Sequence, residues 1–202
     1  MFLLRNLTPC PLCGQRPTDI KGCCQACTET LFAPSVNAKT VTLGPYQGQL
    51  KAAVRAFKYR QATRLGTLFA ERLTEVVTHN GWRLDVICPV PLHRSRQRTR
   101  GYNQAALLGK HLAKSLQLPY RELLKRSVPT QPQAGLDASA RSHNVRGAFQ
   151  YASLQGARVD SFSNVLLVDD VLTTGATTQA CEAVLQDAGV THVFLAVIAR
   201  AE

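Results

Sequence analysis

Two adjacent carboxylates stand where a predicted strand gives way to a turn, at Asp169 and Asp170. The four apolar residues before them, 165–168, are typical of a strand buried on both faces, and a helical pattern begins at Thr177. Carboxylates accept hydrogen bonds from sugar hydroxyls, while turn hydroxyls and backbone N–H groups at a helix start bind phosphate. Residues 164–177 therefore predict a binding site for a sugar phosphate.

The turn after the carboxylates consists of small and hydroxyl-bearing residues: Thr173, Thr174, Gly175, Ala176 and Thr177. Gly175 lets a phosphate approach the backbone closely. The turn differs from a nucleoside-triphosphate loop, because no Gly-Lys pair follows and the last lysine in the chain is Lys125. Two carboxylates alone make a loose metal site, so we expect Mg²⁺ to arrive chelated by substrate phosphates. An ordinary helix cap is the alternative, but adjacent carboxylates repel each other at a buried strand end without a ligand or cation.

The elements that position this site follow from the hydrophobic periodicity. Further strands are predicted at residues 40–43, 85–90, 118–120, 123–126 and 192–199. Amphipathic helices are predicted near Gln49, at residues 64–79 and from Asn103. A strand, a helix and a strand in one short unit after residue 164 predict a parallel sheet, with the site at the carboxyl ends of its strands. The fold class is therefore α/β.

Arginines follow the strand at residues 85–90, alternating along a predicted extended loop at Arg94, Arg96, Arg98 and Arg100. Several guanidinium groups close together bind phosphate or pyrophosphate well, although a solvated run of charge is the alternative. A long polar stretch at residues 127–147 contains Arg141 and Arg146. Its length is typical of a lid that approaches the anion from above, or of a disordered connector.

Five of the seven cysteines lie near the start of the chain. Two CxxC pairs, Cys10 with Cys13 and Cys24 with Cys27, supply the four thiolates of a tetrahedral zinc site. Cys23 is a rival ligand, and we favour Cys24 because it completes the CxxC turn. Such a site has no open coordination position, so the zinc would be structural. A redox or merely buried cysteine cluster is the alternative.

The composition of the whole chain sets the wider limits. Its 202 residues, 45% of them hydrophobic, suit a zinc-binding module at residues 1–40 followed by one larger domain at residues 41–202. The formal net charge of +11 favours nucleic acid or phosphorylated small molecules as partners, or serves general solubility. No apolar run is long enough for a membrane span and the start lacks a secretion signal, so we expect a cytoplasmic protein.

These motifs carry a resemblance to known proteins. The segment VDDVLTTGAT at residues 168–177 resembles the phosphoribosyl pyrophosphate (PRPP) signature of type I phosphoribosyltransferases. The surrounding pattern adds the double CxxC, PVPLH at residues 89–93, RGYNQ at 100–104, QAGL at 133–136 and GAF at 147–149. Together these segments resemble the ComF family of competence proteins (ComFC, also called GntX-like), and the likeness extends over nearly all of the chain.

The resemblance implies a central parallel sheet flanked by helices, with a small zinc-ribbon-like module at the N-terminus. It implies that Asp169 and Asp170 contact the ribose hydroxyls and that residues 173–177 cradle the 5-phosphate. The arginine-rich segment would lie near the pyrophosphate and its Mg²⁺, through Arg94, Arg98 and Arg100. Residues 131–146 would form the lid.

Two functions are compatible with these expectations. The first is a DNA-uptake protein of natural transformation that binds PRPP and, through its basic surface, single-stranded DNA, with other DNA-uptake proteins as further partners. Aromatic residues near basic ones are candidate stacking platforms unless they are buried: Phe57, Tyr59, Tyr102 and Phe149. The second is an active phosphoribosyltransferase of nucleotide salvage, in which Asp169 and Asp170 would be catalytic by stabilising a ribose with oxocarbenium character. Glutamine-linked amidotransfer is a weaker third function, because the cysteines resemble metal ligands and the chain does not begin with a catalytic cysteine.

Overall fold

The computed structural model describes Cys10, Cys24, Cys27 and residues 31–59, 62–126, 147–152 and 162–201. The predicted metal ligand Cys13, its neighbour Cys23 and the predicted lid at residues 131–146 lie outside the described residues. The proposed boundary after residue 40 stays a prediction, because most of the preceding residues lie outside the description as well.

Five helices and seven strands are described. The helices are α1 (Gly48–Tyr59), α2 (Arg64–His79), α3 (Arg94–Arg100), α4 (Gln104–Leu116) and α5 (Ala176–Asp187). The strands are β1 (Ser35–Val36), β2 (Thr40–Thr42), β3 (Val86–Pro89), β4 (Leu124–Arg126), β5 (Phe149–Tyr151), β6 (Asn164–Leu172) and β7 (His192–Arg200).

The central sheet has five strands in the order β1-β2-β7-β6-β3. All neighbours in it are parallel except β1, which runs antiparallel to β2 at the edge. Strands β4 and β5 form a separate antiparallel pair. The prediction of a mostly parallel α/β sheet is therefore confirmed.

Strand β6 is buried on both faces, as its unbroken apolar run predicts. Its side chains alternate between the two faces of the sheet, and each face packs in a separate hydrophobic core. Leu166 and Val168 pack in the core that contains residues of α1, α2 and α4. Val165 and Leu167 pack on the other face with residues of α5, including Leu185. Helices thus flank the sheet on both sides, and the carboxyl end of β6 lies between them.

The arginine-rich segment differs from the prediction of an extended loop, because residues 94–100 form the short helix α3. The backbone N–H of Ser95 donates to the imidazole of His93, which caps the start of this helix, over 3.2 Å. Gly101 ends it with φ of 82°, a left-handed conformation that glycine adopts without strain. A helical rather than extended backbone places Arg96 and Arg100, four residues apart, on one face.

One predicted strand is absent, and one helix begins a residue earlier than predicted. The strand predicted at residues 118–120 is absent, and Tyr120 makes only a single bridge to Ile87. Helix α5 begins at Ala176, one residue before the predicted start. Within the described part of the chain, no helix combines the length and apolar character that crossing a membrane requires.

Candidate functional site

The predicted carboxylates lie at the carboxyl end of β6, next to the end of β3. The backbone N–H of Asp170 donates to Oδ1 of Asp169 over 2.8 Å. Beyond the strand, Gly175 has φ of 80°, and its carbonyl accepts a hydrogen bond of 2.9 Å from the hydroxyl of Thr178. This geometry turns the chain sharply from β6 into α5, so that the start of a helix, a position that favours anions, directly follows the carboxylates.

A lysine that the sequence analysis did not single out completes the carboxylate cluster. Lys58, in the last turn of α1, places its Nζ 2.7 Å from Oδ1 of Asp170. The two side chains are only 15% and 13% exposed. No local sequence signal distinguishes Lys58 from its exposed neighbours on α1, because the pair joins two elements that are distant in the chain.

Burial and mutual charge shift the pKa values in this cluster. Burial first, and then the neighbouring Asp170 carboxylate, raise the pKa of Asp169 to about 7. Burial alone would lower the pKa of Lys58, but the paired Asp170 and the nearby Asp169 outweigh it, so the pKa of Lys58 is raised. The site therefore contains a carboxyl group that titrates near neutral pH beside a firmly protonated lysine.

Three arginines line the same cleft as the two carboxylates. Arg96 and Arg100 from α3 and Arg126 from β4 line it, whereas Arg94 and Arg98 are exposed and are not among its lining residues. Partial burial, and then the charge of Arg100, lower the pKa of Arg96. Burial, and then the charge of Arg96, likewise lower the pKa of Arg126. Guanidinium groups that lie within electrostatic reach of one another are stabilised by a bound anion.

Gln104 supplies a further hydrogen-bond donor in the wall of the cleft. Its side chain is 1% exposed, and its Oε1 accepts a hydrogen bond of 3.2 Å from Nη1 of Arg100. Its Nε2 has no hydrogen-bond partner among the described residues. A buried N–H group without an acceptor is costly, and such a group is often satisfied by a ligand or an ordered water.

The cleft brings most of the predicted residues together in a volume of about 210 Å³. Asp169, Asp170, Thr173, Gly175, Thr177 and Arg100 all line it. Thr174 is not among its lining residues and lines instead a neighbouring depression together with Lys39 and Arg200. Ala176 packs against the core beneath α5. Lys58, Arg126 and Gln104 also line the cleft and were not predicted as site residues; of the three, only Gln104 lies in a recognisable motif, RGYNQ at residues 100–104.

The cysteine cluster is a separate feature. The thiols of Cys10, Cys24 and Cys27 are buried, and their Sγ atoms lie within 4.8 Å of one another. The backbone N–H of Cys24 donates to Sγ of Cys10 over 3.4 Å. Three soft donors at this separation are close enough to hold one metal ion.

The fold and the cleft together define a class of protein. A mostly parallel sheet carries two aspartates and a threonine-rich turn at the carboxyl end of a central strand, in a cleft that three arginines also line. The fold class is the one expected from the sequence, an α/β protein with a mostly parallel central sheet flanked by helices.

Known relatives identify the family within this class. The chain is 32% identical over 197 residues to competence protein F of Haemophilus influenzae, covering 95% of this chain and 85% of the relative. It is 30% identical over 177 residues to DNA utilization protein YhgH of Escherichia coli, covering 84% and 74%. Competence protein ComFC of Bacillus subtilis is 26% identical over 175 residues, covering 83% and 67%. The chain belongs to the competence protein F family.

Solved structures give weaker likenesses. Adenine phosphoribosyltransferase from Leishmania tarentolae matches with a TM-score of 0.46 and 14% identity, covering 84% of this chain and 95% of that one. Glutamine PRPP amidotransferase from B. subtilis matches with a TM-score of 0.45 and 19% identity, covering 67% of this chain and 26% of that one, so the chain spans about a quarter of its length. A comparison with models of known protein families gives no match. The family assignment therefore rests on the sequence relatives.

Proposed function

We propose that this chain acts in DNA uptake and utilisation, binding PRPP in its cleft and single-stranded DNA through its basic surface. The observation that carries the PRPP part is the convergence of the Asp169 and Asp170 carboxylates, the threonine-rich turn and three arginines on one cleft. The names of the relatives, competence protein F and DNA utilization protein, support the DNA part. The net charge of +11 supports a polyanionic partner.

PRPP has the chemical layout that the cleft complements. It carries a phosphate at one end of the sugar, a pyrophosphate at the other and hydroxyls between them. The backbone and hydroxyls of the turn would hold the 5-phosphate, and the two aspartates would accept hydrogen bonds from the ribose. The arginines would pair with the pyrophosphate. Mg²⁺, when bound, would neutralise part of the pyrophosphate charge, and we propose that it arrives with the ligand.

The arginines of the cleft provide a direct test of this assignment. We propose Arg96 and Arg126 beside Arg100 as pyrophosphate ligands, in place of Arg94 and Arg98. The double variant Arg96→Ala/Arg126→Ala is expected to weaken PRPP binding by at least roughly 100-fold, because hydrogen bonds to charged groups contribute about 1.5–3 kcal/mol each. The measurement is calorimetry at constant ionic strength. Arg94→Ala/Arg98→Ala removes the same net charge from the exposed side of α3, and equal losses in both double variants would argue against a specific site.

Turnover is the second candidate function, and the pairing of carboxylates with a pyrophosphate site favours it. A transferase would stabilise the departing pyrophosphate through its arginines, while Asp169 and Asp170 stabilise positive charge developing on the ribose. Screening nucleobases with PRPP and Mg²⁺ for pyrophosphate release tests this function. Release with any base, lost in Asp170→Asn, supports it, whereas PRPP binding without release favours a protein that only binds this ligand.

We propose that the cysteine cluster holds a structural zinc ion, with Cys13 as the fourth ligand beside Cys10, Cys24 and Cys27. Thiolates in a closed set of four suit zinc and leave no position for a substrate. The chain is expected to purify with one equivalent of zinc, and Cys24→Ser is expected to lose it and to unfold at a lower temperature. Metal analysis and thermal unfolding measure these effects. Cys88→Ala, a buried cysteine outside the cluster, should keep its zinc. Full zinc content in Cys24→Ser would argue against this ligand set.

A further inference from the structure

Tyr59 is the exposed member of the four aromatic residues that the sequence offered as stacking platforms. Phe57 and Phe149 are buried in the two cores, and Tyr102 is partly buried, with its hydroxyl donating to the carbonyl of Phe57. Tyr59, at the end of α1, is 64% exposed. Besides Val36 at the sheet edge, it is the only large hydrophobic side chain so exposed among the described residues. Its ring is therefore available to a partner.

Arg100 fixes the position of this ring. Its guanidinium lies 5.0 Å from the centre of the Tyr59 ring, and its Nη2 donates to the tyrosine hydroxyl over 3.1 Å. Its Nη1 simultaneously donates to Oε1 of Gln104, which anchors the arginine to a buried residue. Because the Arg100 guanidinium bonds to both Gln104 and Tyr59, it orders the Tyr59 ring, which still remains 64% exposed.

A second guanidinium lies beside this pair. Arg96 is on the same face of α3, and its electrostatic interactions include both Arg100 and Tyr59. An accessible aromatic ring next to two guanidinium groups is the combination that binds single-stranded nucleic acid, since the ring stacks on a base and the cations contact the backbone phosphate. A duplex hides the faces of its bases, so an unpaired strand is the form that this surface fits.

The two arginines beside Tyr59 also belong to the proposed PRPP cleft. Arg96 and Arg100 line it, and Lys58, the residue before Tyr59, is paired with Asp170 inside it. We propose that Tyr59, Arg96 and Arg100 form a stacking site for a nucleotide of single-stranded DNA beside the cleft, so that DNA and PRPP compete for the two arginines. This inference rests on the proposed function and adds the location of the DNA contact and its regulation by PRPP.

Competition between ligands tests the shared arginines. A fluorescent oligothymidylate is titrated with the full chain at low salt, and its anisotropy is followed while PRPP and Mg²⁺ are added at matched ionic strength. The apparent dissociation constant for the oligonucleotide should rise in proportion to PRPP once the cleft is saturated. Ribose 5-phosphate lacks the pyrophosphate and should displace the oligonucleotide much less. Simultaneous, independent binding of PRPP and oligonucleotide would overturn the proposal.

Variants of Tyr59 test the stacking contact. Tyr59→Ala should weaken oligonucleotide binding roughly tenfold, and Tyr59→Phe should retain most of it, because the ring carries the stacking. Tyr59→Ala should lower PRPP affinity far less than oligonucleotide affinity, because Gln104 still holds Arg100, and this difference separates the inference from the PRPP site itself. Val36→Ala, at the other exposed apolar position, is the matched control and should bind the oligonucleotide normally.

Unchanged DNA binding in Tyr59→Ala would overturn the stacking site, and tighter binding of the matching RNA would overturn DNA as the partner. A wild-type chain that binds the oligonucleotide but not PRPP would instead refute the PRPP part of the proposed function.

Discussion

Replacing Lys58 by methionine is expected to lower the free energy of unfolding by about 3 kcal/mol at pH 8. The change preserves much of the side-chain volume but leaves Asp169 and Asp170 without the ammonium group that lies 2.7 Å from Asp170. Removing one member of a buried ion pair is costly, because the remaining charge stays out of water without its partner. In a protein of this size the loss corresponds to a fall of roughly 6–12 °C in the unfolding temperature.

The pH dependence of this effect has a definite sign. The folded-state pKa of Lys58 is raised above its ordinary value of 10.5, so its stabilising contribution is fully present at pH 8 and is lost only in more alkaline solution. Towards pH 5 Asp169 becomes protonated, so the penalty in the variant should shrink. Denaturant unfolding of the wild type and of Lys58→Met at pH 5 and pH 8 measures the loss of unfolding free energy at each pH. Lys51→Met, an exposed lysine on the same helix, should change stability by less than about 0.5 kcal/mol, and an equal loss there would refute the role of the ion pair.

Replacing Asp169 by asparagine is expected to have the opposite effect on stability. The folded-state pKa of about 7 lies above the ordinary value of 3.8, so the folded chain holds this proton more tightly than the unfolded chain. Stability therefore falls as pH rises from about 4 to about 7. Asparagine cannot ionise, and its Oδ1 can still accept the hydrogen bond from the backbone of residue 170. The variant should be more stable than the wild type at pH 8, by an amount on the order of 2 kcal/mol.

The gain should disappear as the pH approaches 4, where Asp169 is protonated in the wild type. Denaturant unfolding across pH 4–8 measures this window. Asp187→Asn removes an exposed carboxylate from α5 and should show no such pH-dependent gain. The same Asp169→Asn variant should bind PRPP poorly, because an exchange of stability for function is common where charges are crowded for a ligand. If the free energy of unfolding of Asp169→Asn, minus that of the wild type, were smaller at pH 8 than at pH 4, the raised pKa of Asp169 would be contradicted.

Local chemistry explains what the sequence could predict. The strand, turn and helix around Asp169 lie in one short segment, where hydrophobic period, small turn residues and helix start agree. Helix α2 begins and ends as predicted, at residues 64–79, because its apolar stripe is long and regular. The two CxxC motifs likewise predicted a cluster, and three of its four cysteines are described close together.

Longer-range features were not predictable in the same way. The helix α3 buries none of its residues, so no apolar period distinguished it from a loop, and only its capping residues His93 and Gly101 carried the signal. The partner of Asp170 comes from a distant helix, where Lys58 is one of several basic residues. Arg126 belongs to a three-residue strand with no motif around it. In each case the tertiary fold, rather than local sequence, selects which charge enters the cleft.

Calorimetric titration of the wild-type chain with PRPP and Mg²⁺ tests the central claim most directly. Saturable binding of one PRPP per chain is expected, together with a loss of roughly 100-fold in affinity for Asp170→Asn, which keeps the size of the side chain but removes a charged acceptor for the ribose hydroxyls. Absence of binding to the folded wild-type chain, or equal affinity in Asp170→Asn, would contradict a phosphoribosyl pyrophosphate site in this cleft.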